Sequence, residues 1–254
     1  MRAFSIAALL LISALPVSAK PAAQPSIIAA SVANTTARTP DNVKLDDARK
    51  PAQVLAFLGL KRGMHVLDLF GANAYWAEIT SPVVGPKGHV TVWNPSQFYS
   101  DKRKAAFASF MASHPNVSIT VSPFEAPDLP KKYADWVILN DNYHDTYWKN
   151  DERHVPRMDP AAFLKAVYAS MKPGAVIGVI DHIALPNADT RATVERLHRI
   201  DPEVVKADFK RAGFKLEATS NLLRNPADDH SLNVFDEKIR GKTDRVVLKF
   251  RKPR

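Results

Sequence analysis

Short apolar runs alternate along the chain with stretches in which apolar side chains recur every third or fourth residue, the periodicities of strands and helices. The runs at 64–70, 89–94, 117–121, 134–140 and 175–181 read as strands, and the fourth is apolar nearly throughout, as a strand covered on both faces requires. Between them lie helical stripes. Pro51 opens one that carries Val54, Leu55 and Leu58 and ends at Gly59, and Asn73 is placed to cap a second with Tyr75, Trp76 and Ile79 that bends or stops near Pro82. A third spans 101–113 with Phe107, Phe110 and Met111 on one side. Asp159-Pro160 and Asp201-Pro202 open two more, the first with Phe163, Leu164, Val167, Tyr168 and Met171 in register, the second running through Val204, Val205 and Phe209 to Gly213. The tail holds strands at 214–222 and 245–250 around a polar loop and a short helix. This alternation predicts an α/β fold: a doubly wound, mostly parallel sheet of about seven strands with a C-terminal antiparallel hairpin, and ligands at the carboxyl ends of the strands.

The N-terminus follows another pattern. Met1-Arg2, an apolar stretch to Leu15 and then Pro16-Val17-Ser18-Ala19 give the basic start, apolar segment and small −3 and −1 residues of a signal peptide. Cleavage after Ala19 and export, to the periplasm or beyond the cell, are expected. Residues 20–44, rich in Ala, Ser, Thr and Pro without periodicity, read as a flexible linker or surface-hugging arm, with the folded domain over 45–254. The one long apolar run is shorter than the roughly 20 residues of a membrane span, so a polytopic membrane protein is excluded and no span is expected after signal cleavage.

Composition narrows the chemistry. The 254 residues include no cysteine, which excludes a disulfide scaffold, a thiolate zinc site and a cysteine nucleophile. The net charge of +9 owes much to residues 238–254, where eight Lys and Arg face the single acid Asp244; we read this as a solvated basic tail and expect no nucleic-acid binding.

Polar residues concentrate where apolar strands stop. The fourth strand runs into Asn140-Asp141-Asn142-Tyr143-His144-Asp145, and the fifth ends at Asp181-His182. His144 suits a general base, with Asp145 or Asp181 orienting it; the alternative is helix capping by Asp141 or Asp145 around a structural histidine. His144, His182 and His230 each neighbour an aspartate, but no local histidine pair has metal-ligand spacing, and no metal ligand is assigned. Arg224, Asp228, Asp229 and His230 lie in a loop able to close over a substrate.

Met64-His65-Val66-Leu67-Asp68-Leu69-Phe70-Gly71, Met171-Lys172-Pro173-Gly174 and Ala212-Gly213-Phe214, in this order of elements, resemble the class I S-adenosylmethionine-dependent methyltransferases over about residues 50–252. Asn142-Tyr143-His144-Asp145, His198-Arg199-Ile200-Asp201-Pro202 and Leu223-Arg224-Asn225-Pro226-Ala227-Asp228-Asp229-His230 are similar to a narrower group of predicted bacterial methyltransferases that often carry signal peptides. The resemblance implies an S-adenosylmethionine site built from Asp68, Gly71, Asn73, Asn94, Phe124 and Asn140, with Asn94 at the position of the acid that accepts the ribose hydroxyls and Phe124 over the adenine. The acid that meets the adenine amine aligns with Pro123, and Glu125 stands two positions on. It also implies methyl transfer to a small molecule, with His144, Asp145 and Asp181 as the catalytic group. Ala72 and Ala74 stand where the family has glycines, and Asn94 accepts through one oxygen only, so weak cofactor binding is expected. Because S-adenosylmethionine is made in the cytosol, an exported chain leaves two rivals: a non-catalytic ligand-binding protein that keeps the fold, and a metal-assisted periplasmic hydrolase built on the His/Asp cluster.

Overall fold

A computed structural model describes residues 24–71 and 73–254; the leader pattern lies outside the described residues. Among the described residues, four helices, α1 (Gln24–Ala33), α2 (Pro40–Val43), α3 (Asp46–Arg49) and α4 (Pro51–Leu58), precede β1 (His65–Leu69). Then follow α5 (Tyr75–Val84), β2 (His89–Pro95), α6 (Asp101–Ser113), β3 (Val117–Ser122), β4 (Ala134–Asn140), α7 (Pro160–Ser170), β5 (Met171–His182), α8 (Thr190–Leu197), α9 (Pro202–Arg211), β6 (Lys215–Ser220) and β7 (Arg245–Arg251).

The seven strands form one sheet in the order β3-β2-β1-β4-β5-β7-β6. β1 to β5 are mutually parallel and the last pair is antiparallel, as the lack of a crossover helix between them implies. β7 does not extend the edge beyond β6 but inserts between β5 and β6. Its Val246, Val247, Leu248 and Phe250 are buried, which suits an interior strand, whereas β6 is exposed or half-buried along its length and takes the edge.

Alternate side chains of each strand feed two cores. Leu67, Leu69, Trp93, Val137, Leu139, Ile177 and Val179 face Phe163, Leu164 and Val167 of α7 and Val205 and Phe209 of α9. Val66, Val90, Val92, Trp136, Ile138 and Ile180 face Val54, Leu55 and Leu58 of α4, Ile79 and Val83 of α5, and Phe107 of α6. The Asp-Pro starts behave as expected, since Asp159 and Asp201 accept the backbone N–H groups of Ala161 and Glu203 at 2.9 and 2.8 Å. Asn73 is not a cap: Ala74, left-handed at φ 54°, precedes α5, and that helix continues through Pro82 to Gly85. No helix forms between β6 and β7, and α8, unmarked by any strong apolar stripe, is an additional one.

Of the two readings of residues 20–44, flexible linker or surface-hugging arm, the described part from Gln24 fits the arm. Ile28 is buried, Ser31 donates its hydroxyl to the Ile79 carbonyl at 2.8 Å, and Asn42 reaches the Asn73 carbonyl at 2.8 Å. Sequence periodicity misses this docking because one buried cation holds it. Arg38, 5% exposed, forks onto both oxygens of Asp46 at 2.6 and 2.8 Å and lies 3.9 Å from Glu78 on α5. Asp46 also accepts the Tyr75 hydroxyl at 2.8 Å, so the arm, α3 and the start of α5 are tied into one wall beside the sheet edge.

Arg38→Ala is expected to lower the unfolding free energy by about 3 kcal/mol, since it leaves the buried Glu78 and the half-buried Asp46 carboxylates without their cation. Urea denaturation checks this; a loss below about 1 kcal/mol would show that the arm is not held through Arg38.

Candidate functional site

Strand order reverses between β2 and β4, on either side of β1, and the carboxyl ends of these strands open onto a cleft of about 1010 Å³. Each strand that reaches this edge ends in a buried polar residue. Asp68 on β1 is 1% exposed, Asn94 on β2 is fully buried and Asn140 on β4 is 9% exposed, and all three line the cleft. Among the described residues, Asp68 Oδ2, both amide atoms of Asn94 and Asn140 Oδ1 have no hydrogen-bond partner. Burial pushes the Asp68 carboxyl up to about 7, with Arg49 from α3 pulling it back only in part.

The turn after β1 is built tightly. Phe70 and Ala74 are left-handed at φ 58° and 54°, a conformation that costs a non-glycine residue of the order of 1 kcal/mol or more. Gly71 is needed for packing as much as for ligand approach, since a Cβ there would lie 2.6 Å from both Asp68 Oδ2 and Val92. The backbone therefore holds the Asp68 carboxylate against the turn.

The other half of the cleft lies beyond β4 and β5. Asp141 is left-handed at φ 56° and begins a short turn that brings His144 back over the end of β5. There Asp181, fully buried, accepts the His144 backbone N–H at 2.9 Å, the His182 backbone N–H at 2.8 Å and the His144 ring at Nδ1 at 2.7 Å. That arrangement fixes the ring and turns Nε2 to Asp145, 3.4 Å away. Asp145 is braced by the Asn142 amide at 2.9 Å and faces His198 Nδ1 at 3.8 Å. Burial alone would lower the His144 pKa, but the Asp181 and Asp145 carboxylates outweigh it and raise it to about 9. His182 goes the other way: burial outweighs the pull of Asp141 and sets its ring at about 4, neutral near pH 7, with Nδ1 on the Thr243 hydroxyl at 2.7 Å. Burial likewise pushes Asp141 up, but His182 and Arg245 hold it down at about 2; Arg245, 3.4 Å away, is the lasting counter-charge.

Asp68, Gly71, Asn73, Asn94, Asn140, His144 and Asp145 all line this cleft, and Asp181 stands directly behind His144. Phe124 does not line it. Its ring is fully buried between Phe70 and Phe98, filling the core where no helix joins β3 to β4, and so is not available to cover an adenine. Glu125 is exposed and accepts from Gln97 at 3.0 Å. The loop at 224–230 is structural: buried Asp228 forks with buried Arg199 at 2.8 and 3.0 Å, while Arg224 and His230 meet Asp244 at 2.8 and 3.0 Å. It is the following stretch, with Phe235 and Thr243, that reaches the cleft. Sequence reading assigned no role in the site to Arg49, Trp148, His198 or Arg245. His198 had a usable signal, a histidine three residues before the Asp201-Pro202 start of α9, where α8 must end; its left-handed φ of 50° closes α8.

No protein-family model matches the sequence, and comparison with curated proteins gives no match. Solved structures match the fold. A SAM-dependent methyltransferase from Aquifex aeolicus superimposes with a TM-score of 0.57 at 18% identity, over 90% of this chain and 98% of that one. An S-adenosylmethionine-dependent methyltransferase from Mesorhizobium loti gives 0.56 at 15% identity, over 82% and 99%. The cyclase SpnF gives 0.58 at 14% identity, over 81% and 80%, so one fold carries more than one reaction. The architecture of this chain is the Rossmann-like fold of the S-adenosylmethionine-dependent methyltransferases.

Proposed function

We propose that the cleft binds S-adenosylmethionine along the ends of β1, β2 and β4 and that the protein methylates a small molecule presented from the His144 side. The observation that carries this reading is the set of buried, unpartnered polar atoms on Asp68, Asn94 and Asn140, gathered in one cleft at the point where strand order reverses. Leaving such a group unpaired costs about 1–3 kcal/mol, more for a charge, and a ligand bearing hydroxyl, amine and amide-like groups would satisfy all three at once. Asp68, a buried carboxyl whose burial Arg49 offsets only in part, complements a cationic ligand in particular. The solved structures of similar fold that are S-adenosylmethionine-dependent methyltransferases support the same ligand class.

When bound, S-adenosylmethionine supplies a methyl group on a sulfonium, an electrophile that needs an aligned, deprotonated acceptor more than it needs activation. The chain's contribution is position. Asp68 and Asn94 hold the polar parts of the cofactor at the β1 and β2 ends, Asn140 lies between the two halves of the cleft, and Asp181 fixes His144 so that Nε2 and Asp145 face the acceptor. Binding is weak, because Ala74 sits left-handed in the turn and the amide of Asn94 makes no charge-assisted bond.

Calorimetric titration of the full chain with S-adenosylhomocysteine is expected to give one site per chain, and Asn94→Ala and Asp68→Ala should each weaken it by tenfold or more, roughly 1.4 kcal/mol. Absence of heat with the unaltered protein, or affinity indifferent to both substitutions, would overturn the reading.

If Asp68 is kept for a ligand, the fold is the less stable for it. Its carboxyl titrates at about 7 in the folded chain against 3.8 otherwise, so the folded state binds the extra proton between these values and stability falls as pH rises from about 4 to about 7. Asp68→Asn should therefore be more stable than the unaltered protein at pH 8, by an amount of the order of 4 kcal/mol, and nearly equal to it at pH 4. Thermal or urea unfolding at the two pH values reads this directly; an Asp68→Asn variant less stable at pH 8 would mean that the carboxylate has a structural partner.

A further inference from the structure

We propose that His144 Nε2, the Asp145 carboxylate and His198 Nδ1 bind a divalent first-row metal ion whose open positions face the cleft and take an oxygen donor. The three residues come from two elements distant in sequence: His144 and Asp145 from the turn after β4, His198 from the end of α8. One donor atom from each lies within 4.8 Å of the others, with Asp145 Oδ1 3.4 Å from His144 Nε2 and 3.8 Å from His198 Nδ1. Metal–ligand bonds of about 2.0–2.2 Å in tetrahedral array place neighbouring donors about 3.4 Å apart, so the two Asp145 separations already lie near that spacing and the group closes by about 1.4 Å at most around an ion.

The surroundings argue for a ligand set rather than a chance cluster. Asp181 takes the Nδ1 side of His144 and leaves Nε2 aimed at the other two donors, the carboxylate–histidine arrangement that orients metal-binding imidazoles. Asn142 braces Asp145 in the same way. Trp148 and Phe235 pack against the His198 ring at 5.2 and 5.0 Å, giving the site an apolar rim. All three donors belong to residues that line the cleft, and among the described residues the group offers three protein ligands, which leaves positions for an outside molecule. Two imidazoles and one carboxylate suit zinc, cobalt, nickel or ferrous iron better than calcium or magnesium.

An oxygen donor in the open positions would be the methyl acceptor itself, a hydroxyl whose acidity the ion raises so that its proton leaves to solvent. This second part rests on the methyl-transfer reading; the ion site does not. The test is a titration of the chelator-treated full chain with Co²⁺, followed by visible absorption. One Co²⁺ per chain is expected, with the bands of a low-coordinate nitrogen/oxygen site, displaced by Zn²⁺ and shifted by acetohydroxamate as an oxygen-donor probe. His198→Ala and Asp145→Asn should each weaken binding at least 100-fold and Asp181→Asn 10- to 100-fold, with unchanged circular dichroism in chelator. Should Asp181→Asn fail to fold, the part-exposed His198 carries the test alone. Absence of saturable absorption, or Co²⁺ binding unaffected by His198→Ala, overturns the site; bands indifferent to acetohydroxamate overturn the oxygen-donor role. Co²⁺ binding without S-adenosylhomocysteine binding would support the ion site and sink methyl transfer, and the reverse pattern would sink the ion site alone.

Discussion

Parallel strands joined by crossovers all finish at one edge, and here that edge is where the sequence places side chains that do not belong in a core. Asp68, Asn94, Asn140 and Asp181 end β1, β2, β4 and β5, all of them nearly or wholly buried. Burying a polar group without a partner is costly, and burying a charge more so, so each position must be answered by protein or by ligand. Everything else in the cleft can be understood as one of those two answers.

Asp181 is answered by the protein. Three hydrogen bonds, two from backbone N–H groups and one with an imidazole, fill its oxygens and fold the Asp141–Tyr147 turn back over the sheet. The consequence is a rigid His144 with one ring nitrogen committed and the other free to face Asp145 and His198. Asp68 receives no such answer among the described residues, and the tight turn that follows it, with Gly71 pressed against it and Phe70 and Ala74 left-handed, keeps the carboxylate in place without satisfying it. At the end of β5 the polar demand of Asp181 is thus met by the protein, whereas at the end of β1 that of Asp68 is not. On the proposed methyl-transfer reading, this difference is what a bisubstrate site needs: a pocket whose polar demand a cofactor would meet, beside a fixed group that would receive the acceptor.

Much of this was legible in the sequence, for reasons that differ from element to element. The strands and the helices opened by Asp159-Pro160 and Asp201-Pro202 follow from local periodicity and capping, which need no knowledge of the rest of the chain. Asn140, His144, Asp145 and Asp181 followed from the same reading, because polar residues that end an apolar strand stand out, whereas Asp68 and Asn94 came from the family resemblance. What periodicity cannot supply is long-range pairing. The docking of residues 24–44 depends on Arg38 finding Asp46 and Glu78, Phe124 is a core residue because no helix joins β3 to β4, and His198 reaches Asp145 through its own left-handed backbone at the end of a short helix that buries only Val194 and Leu197. The loop at 224–230 looked like a lid by composition, and is instead a buried Arg199–Asp228 clamp. Likewise, β7 enters the sheet between β5 and β6 because of its burial, which an antiparallel pair read in isolation does not reveal.

The central claim is that the unpartnered groups at the β1, β2 and β4 ends are there for the cofactor. A crystal structure of the protein grown with S-adenosylhomocysteine tests it most directly. The account predicts the ligand along that edge, with its polar atoms within hydrogen-bond distance of Asp68 and Asn94 and its sulfur turned toward His144. Ligand bound elsewhere, or a liganded cleft in which Asp68 and Asn94 are satisfied by protein groups alone, would contradict it.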